Sequence, residues 1–274
     1  MKERTISFAL VVLFSMLPGL AAESRTVSAA DFMNVADAIP GIIVDLRYAG
    51  TDNMFRQRFY TTNLCYLRRS TMDKLRAAQK EFMQSGLRLK ILDGYRPLSV
   101  QEQLWKAKSD ARYVAPPARG SRHNRGAAVD VTLVDSEGHE LAMPTAFDEF
   151  TEKAGAHYAQ LPAEVLKNRD KLQEIMTRHG FAILDSEWWH FDDADWRSFP
   201  IANVSPEEMA TQKQRQKTAR EDEVIEGRVG VKTPSPAAAS PPPGKKVSDP
   251  QKRHEVTEGG GRIPEPAGAK RAPP

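Results

Sequence analysis

After Val204 the chain contains no Phe, Tyr or Trp and holds 11 of its 19 prolines. Stretches such as KTPSPAAASPPPGKK and EGGGRIPEPAGAKRAPP carry neither helical nor strand periodicity. Without an apolar face they cannot offset the conformational entropy lost on folding. A packed core must therefore come from earlier residues, and 205–274 is expected to form a disordered, Pro- and Ala-rich tail. A short helix fits over about 206–226, because SPEEM offers a Ser cap, Pro206 at the first helical position and two glutamates in the first turn.

The tail carries 13 basic and 10 acidic residues, so the formal net charge of +3 lies wholly within it. No concentrated basic face remains for a nucleic acid. The tail is expected to be a solvated spacer, or a weak contact with an anionic cell envelope.

The other end is bounded by Lys2 and Arg4, an apolar run from about Ile6 to Leu17, and small residues near Ala21 and Ala22. This is the pattern of a secretory signal over 1–22, with a run shorter than the roughly 20 residues of a membrane span. The expectation is an exported protein, periplasmic or extracellular, with no stable membrane insertion after cleavage. No cysteine closely follows the apolar run, which argues against a lipid anchor. Cys65 is the only cysteine, so stability must come from a core or a metal rather than an internal disulfide. Its setting, TNLCYLRRS, suits a buried structural thiol.

Between about 25 and 204 the periodicities describe one domain. GIIVDLRYA (41–49) has strand character, and STMDKLRAAQKEF (70–82) has helical spacing with Ser70 as cap. LRLKILDGYRP (87–97) alternates and then breaks at Gly94 and Pro97, after which Ser99 and Glu102 stand in capping-box register. In AAVDVTL (127–133), Val129, Val131 and Leu133 share one face while Ala128, Asp130 and Thr132 share the other. A helix follows Pro162 and stops at Gly180; FAIL and EWWHF (187–191) then form a hairpin. The expected class is α+β, an antiparallel sheet with helices packed on it.

Of the six histidines, His254 lies in the tail, while His139 and His179 sit in turn or helix-end contexts and His157 lacks a neighbouring carboxylate. His123 and His190 each lie beside a carboxylate in structured sequence. Together they give H-x6-D (His123, Asp130) and then E-x2-H (Glu187, His190). Two histidines and an aspartate are three ligands, and an open fourth position is the pattern of catalytic zinc. Glu187 would then be placed to take a proton from an attacking water. On a regular strand Glu187 and His190 would face opposite ways, so a local bend or a turn is required.

SRHNRGAAVDVTL, EWWHF and DGYRP resemble the S-x-H-x-x-G-x-A-x-D, E-W-W-H and Y-R-P motifs of the zinc D-alanyl-D-alanine dipeptidases. The resemblance runs from about residue 35 to 200, with the motifs in the family's order. It implies the hedgehog/D-Ala-D-Ala peptidase-like fold and one Zn2+ per subunit held by His123, Asp130 and His190. It further implies Glu187 as general base, Arg96 as stabiliser of the oxyanion, and Ser121 and Asp148 as substrate contacts, with Asp148 pairing the free ammonium of a dipeptide. The function implied is hydrolysis of D-Ala-D-Ala in peptidoglycan-related turnover. A murein carboxypeptidase or endopeptidase, or a non-catalytic zinc-containing wall-binding module, would share the metal ligands.

Overall fold

The computed structural model describes residues 27–229. The signal expected over 1–22 and the part of the expected tail beyond 229 lie outside them. Among the described residues no helix is long and apolar enough to cross a membrane.

The described residues begin with a 3-10 turn (Ala29–Asp31), followed by β1 (Phe32–Asn34), a single helical turn α1 (Val35–Ala38) and a two-residue strand β2 (Ile43–Val44). β3 (Tyr66–Arg68) runs directly into α2 (Arg69–Gln84), followed by β4 (Arg88–Asp93) and α3 (Leu98–Ala107). Next come β5 (Ala128–Val134), α4 (Ala163–Arg178), the hairpin of β6 (Phe181–Leu184) and β7 (Glu187–Asp193), and α5 (Pro206–Val229).

β1 and β3 pair antiparallel as a separate ribbon, while the main sheet has the order β2-β4-β5-β7-β6. Its pairs are antiparallel except β2 with β4, which is parallel. The sheet is thus mixed rather than purely antiparallel, with the parallel strand at its edge. The alternation of β5 is realised: Val129, Val131 and Leu133 join one buried cluster with Met72, Leu75 and Phe82 of α2 and Leu172, Ile175 and Met176 of α4. Each such side chain contributes roughly 1.5–3 kcal/mol on burial, which anchors the sheet under the two helices. The opposite face carries Asp130.

Several local expectations change. The strand expected over 41–49 shrinks to Ile43–Val44, and Arg47–Ala49 form a 3-10 turn that buries Tyr48. Ser70 lies inside α2, whose cap position is Arg68 with no side-chain cap. In α3 the cap position is Pro97, and no Ser99–Glu102 box forms. Instead the Ser99 amide donates to Asn203 Oδ1 at 2.7 Å, a cap supplied from far along the chain. The helix begun by SPEEM runs to Val229, and its Met209 is buried with Phe32, Tyr66, Tyr95 and Ala202. The folded part therefore extends past 204, and the first stretch assigned to a disordered tail is helix.

Cys65 is buried as expected, and burial pushes its thiol well above the ordinary range. Its sulfur abuts Gly94, where an added Cβ would lie 2.4 Å from it.

Candidate active site

The register of β5 and β7 sets Asp130 directly opposite His190, so both side chains leave the same face of the sheet. His123 arrives from a 3-10 turn, His123–Arg125, that immediately precedes β5. Gly126 closes that turn at φ +67, and a Cβ there would meet the Phe32 ring at 2.5 Å. Only glycine fits both the backbone and the space.

His123 Nε2 lies 3.2 Å from His190 Nδ1. Asp130 Oδ1 is 2.9 Å from His190 Nδ1 and 3.4 Å from His123 Nε2. Behind the rings, His123 Nδ1 donates to the Gly94 carbonyl at 2.8 Å, and His190 Nε2 to Asp192 Oδ1 at 3.0 Å. Those outer bonds fix the tautomers and turn both remaining lone pairs toward Asp130. Two lone pairs and a carboxylate converging in a buried site need a cation between them. Four ligands about 2.0–2.1 Å from a tetrahedral zinc stand about 3.3 Å apart, close to the three separations seen here. The donor set fits zinc with a position left for water or substrate. A proton on His190 competes with a metal ion for that position: burial opposes the ring's charge, but hydrogen bonds to Asp130 and Asp192 outweigh it and raise its pKa to about 10. Burial likewise opposes ionisation of Asp130, and the two histidines reverse it, holding the carboxyl well below its usual range.

Glu187 shares a cavity of about 300 Å³ with these three residues, although it stands an odd number of positions from His190. The β6–β7 ladder explains how. Ile183 pairs with Phe191, but the next residue, Leu184, pairs with Glu187, so Trp188, Trp189 and His190 bulge out of register. The bend that the E-x2-H spacing requires is this irregularity. Burial raises the Glu187 pKa above its ordinary value.

Arg96 is buried at the same cavity and is gripped on two sides. Its Nε and one terminal nitrogen donate to Asp93 Oδ2, and the other terminal nitrogen donates to Gln101 Oε1 at 2.9 Å. Asp93 faces the site because β4 also bulges: Ile91 pairs with Val131 but Asp93, not Leu92, pairs with Asp130. Tyr60 Oη donates to Asp93 at 2.6 Å and the Gly94 amide at 2.9 Å, completing a buried ion pair with its remaining lone pairs satisfied.

Asp148 lines the cavity too, held at φ +62, a left-handed conformation that Asp tolerates better than most residues. Tyr48 Oη donates to it at 3.0 Å and the Met54 amide at 3.3 Å. Burial dominates, so its pKa rises to about 7. A carboxylate so placed favours a cationic ligand. Ser121 lines the cavity as well, and its Oγ accepts from the His123 amide at 3.2 Å, which leaves its hydroxyl proton free to donate.

All seven residues singled out in the sequence therefore border one cavity. Those missed are Asp93, Gln101, Tyr48, Tyr60 and Asp192, which hold the others. Asp93 stands three residues before Arg96 in DGYRP and Asp192 two residues after His190 in WWHFD, and that nearness in sequence was the available signal. The other described histidines stay apart: His179 meets Glu81, His139 meets Asp135 and His157 meets Asp185. Among the described residues, the one group of metal-competent side chains found is His123, Asp130 and His190.

A family model described as D-ala-D-ala dipeptidase matches residues 28–205. A D-alanyl-D-alanine dipeptidase of Escherichia coli is 36% identical over 171 residues, covering 62% of this chain and 89% of its own length. One of Streptomyces coelicolor is 30% identical over 182 residues, covering 59% of this chain and 90% of its own. Among solved structures, the vancomycin-resistance D,D-pentapeptidase VanY in complex with Zn(II) matches 54% of this chain and 86% of its own, at 16% identity and a TM-score of 0.31.

Proposed function

Because the chain belongs to the D-Ala-D-Ala dipeptidase family and is a metallopeptidase, we propose that it hydrolyses D-Ala-D-Ala, or closely related dipeptides, to free amino acids. The observation that carries this reading is the cavity itself. His123, Asp130, His190, Glu187, Arg96 and Asp148 all line about 300 Å³, at the small end of ligand pockets.

His123, Asp130 and His190 would hold one zinc ion, which when bound supplies Lewis acidity, making water a nucleophile at neutral pH and polarising a carbonyl. Glu187 takes the proton from the attacking water and returns it to the leaving amine, its raised pKa bringing donor and acceptor roles closer in energy. Arg96 faces the charge that develops on the scissile carbonyl oxygen. Asp93 and Gln101 pre-set the guanidinium, so little reorganisation accompanies that charge. Asp148 pairs with the free ammonium of the dipeptide, which recovers the cost of its own buried ionisation. Ser121 offers its hydroxyl to the substrate. A peptide blocked at the amine leaves Asp148 unpaired, which disfavours longer chains.

The charged start and apolar run of the first 22 residues support action outside the cytoplasm, on dipeptide released from the wall. N-terminal sequencing of the exported protein checks this, an intact Met1 being the contrary result. Within the same frame, the mildly basic tail is a weak contact for an anionic envelope. Equal envelope retention of the full-length and truncated proteins would remove that role.

Incubation with D-Ala-D-Ala and with intact stem pentapeptide tests the activity. Free alanine from the dipeptide alone is expected. Alanine released from the stem terminus would mark a murein carboxypeptidase, and none from either a binding module.

A further inference from the structure

We propose that Arg119 binds the C-terminal carboxylate of the substrate and so completes the recognition of a free dipeptide. The inference rests on the dipeptidase reading above and names the cationic contact that reading lacks. A dipeptide zwitterion presents an ammonium and a carboxylate, and the first has its partner in Asp148.

Four arginines border the cavity: Arg96, Arg112, Arg119 and Arg122. Arg96 is committed to Asp93 and Gln101. Arg112 is spent on Asp110, with its Nε at 3.0 Å and a terminal nitrogen at 2.6 Å, and its guanidinium rests against the Tyr113 ring. Arg122 lies 4.9 Å over the Trp196 ring, with its Nε 3.5 Å from Asp192, behind His190. Arg119 alone of the four has no acidic, carbonyl or aromatic partner among the described residues.

Its backbone is nevertheless fixed. The Arg119 amide donates to the Pro116 carbonyl at 3.0 Å, and the Gly120 amide to the same carbonyl at 3.0 Å. Gly120 follows at φ +70, where a Cβ would strike Ile201 at 2.4 Å, and the Ser121 amide is held by Asn124 Oδ1 at 2.7 Å. A rigid Pro-Pro turn thus presents one unspent guanidinium at the cavity, two residues before Ser121. A planar fork of donors beside a hydroxyl suits a carboxylate, and the fixed backbone beneath the exposed side chain reduces the ordering cost of binding.

The experiment compares D-Ala-D-Ala with its C-terminal carboxamide on the zinc-loaded full chain, for the parent, Arg119→Gln and Arg119→Lys. For Arg119→Gln the dipeptide KM should rise about tenfold, as expected for a charged hydrogen bond at a partly exposed site, with kcat within about threefold. Its preference for carboxylate over carboxamide should fall by the same factor, and Arg119→Lys should restore most of it. A KM within about twofold of the parent, or an undiminished carboxylate preference in Arg119→Gln, overturns the assignment of Arg119 while leaving the dipeptidase reading intact. Failure of the parent itself to cleave the dipeptide overturns both.

Discussion

His123 Nε2 and His190 Nδ1 face each other at 3.2 Å with Asp130 Oδ1 against both, while each ring spends its other nitrogen on an acceptor behind it. That arrangement makes the two outer acceptors, Gly94 O and Asp192, part of the candidate metal site. Gly94 acts through its backbone, so Asp192 is the one open to substitution.

Asp192→Ala frees the His190 ring to rotate and to change tautomer. Zinc affinity should fall about 10–100-fold, and activity lost at low zinc should return at high zinc. Competition with a metallochromic chelator gives the affinity directly; unchanged affinity would detach Asp192 from the site.

Arg96→Lys keeps the charge but loses the fork that Asp93 and Gln101 orient. A drop in kcat of about 10²–10³-fold is expected for the loss of one such donor, with zinc content unchanged by metal analysis. A change confined to KM would make Arg96 a ground-state contact instead.

Asp148 links pH to stability. Its folded pKa of about 7 lies above the unfolded value of about 3.9, so both states are protonated at low pH and no cost arises there. As pH rises from about 4 to 7, the unfolded chain releases a proton that the folded chain retains, and stability falls until both are ionised. Asp148→Asn keeps an acceptor for Tyr48 and tolerates φ +62. Relative to the parent, its unfolding free energy in urea should improve by roughly 2–3 kcal/mol more at pH 8 than at pH 5, while the dipeptide KM rises. A pH-independent difference would contradict the buried carboxyl's role.

The candidate ligand group was legible in sequence because the two-residue alternation of β5 survives folding: Asp130 sits opposite the valines on the site face. Glu187 was legible only as a conflict, since the E-x2-H spacing demanded a bend without locating it. The structure places it in the β6–β7 mismatch between Ile183 and Leu184. Asp93 was hidden for a related reason, because periodicity cannot show that Leu92 is bulged out of register. Tyr48 was hidden by its own strand-like neighbours, GIIVDLRYA, whose pairing ends at Val44 so that the chain can turn inward. Caps were the least legible features: the partner of the Ser99 amide, Asn203, is a tertiary contact that no local motif encodes. The roles of Arg96, Ser121 and Asp148 came from the family resemblance, and the cavity adds their shared location.

The most direct test of the account is release of free alanine from D-Ala-D-Ala by chelator-treated protein with zinc returned, beside Glu187→Gln handled identically. The account predicts no alanine after chelation, recovery with zinc in the parent, and no recovery in Glu187→Gln although it binds one zinc as the parent does. Turnover that survives chelation, or that persists in the Glu187 variant, would contradict it.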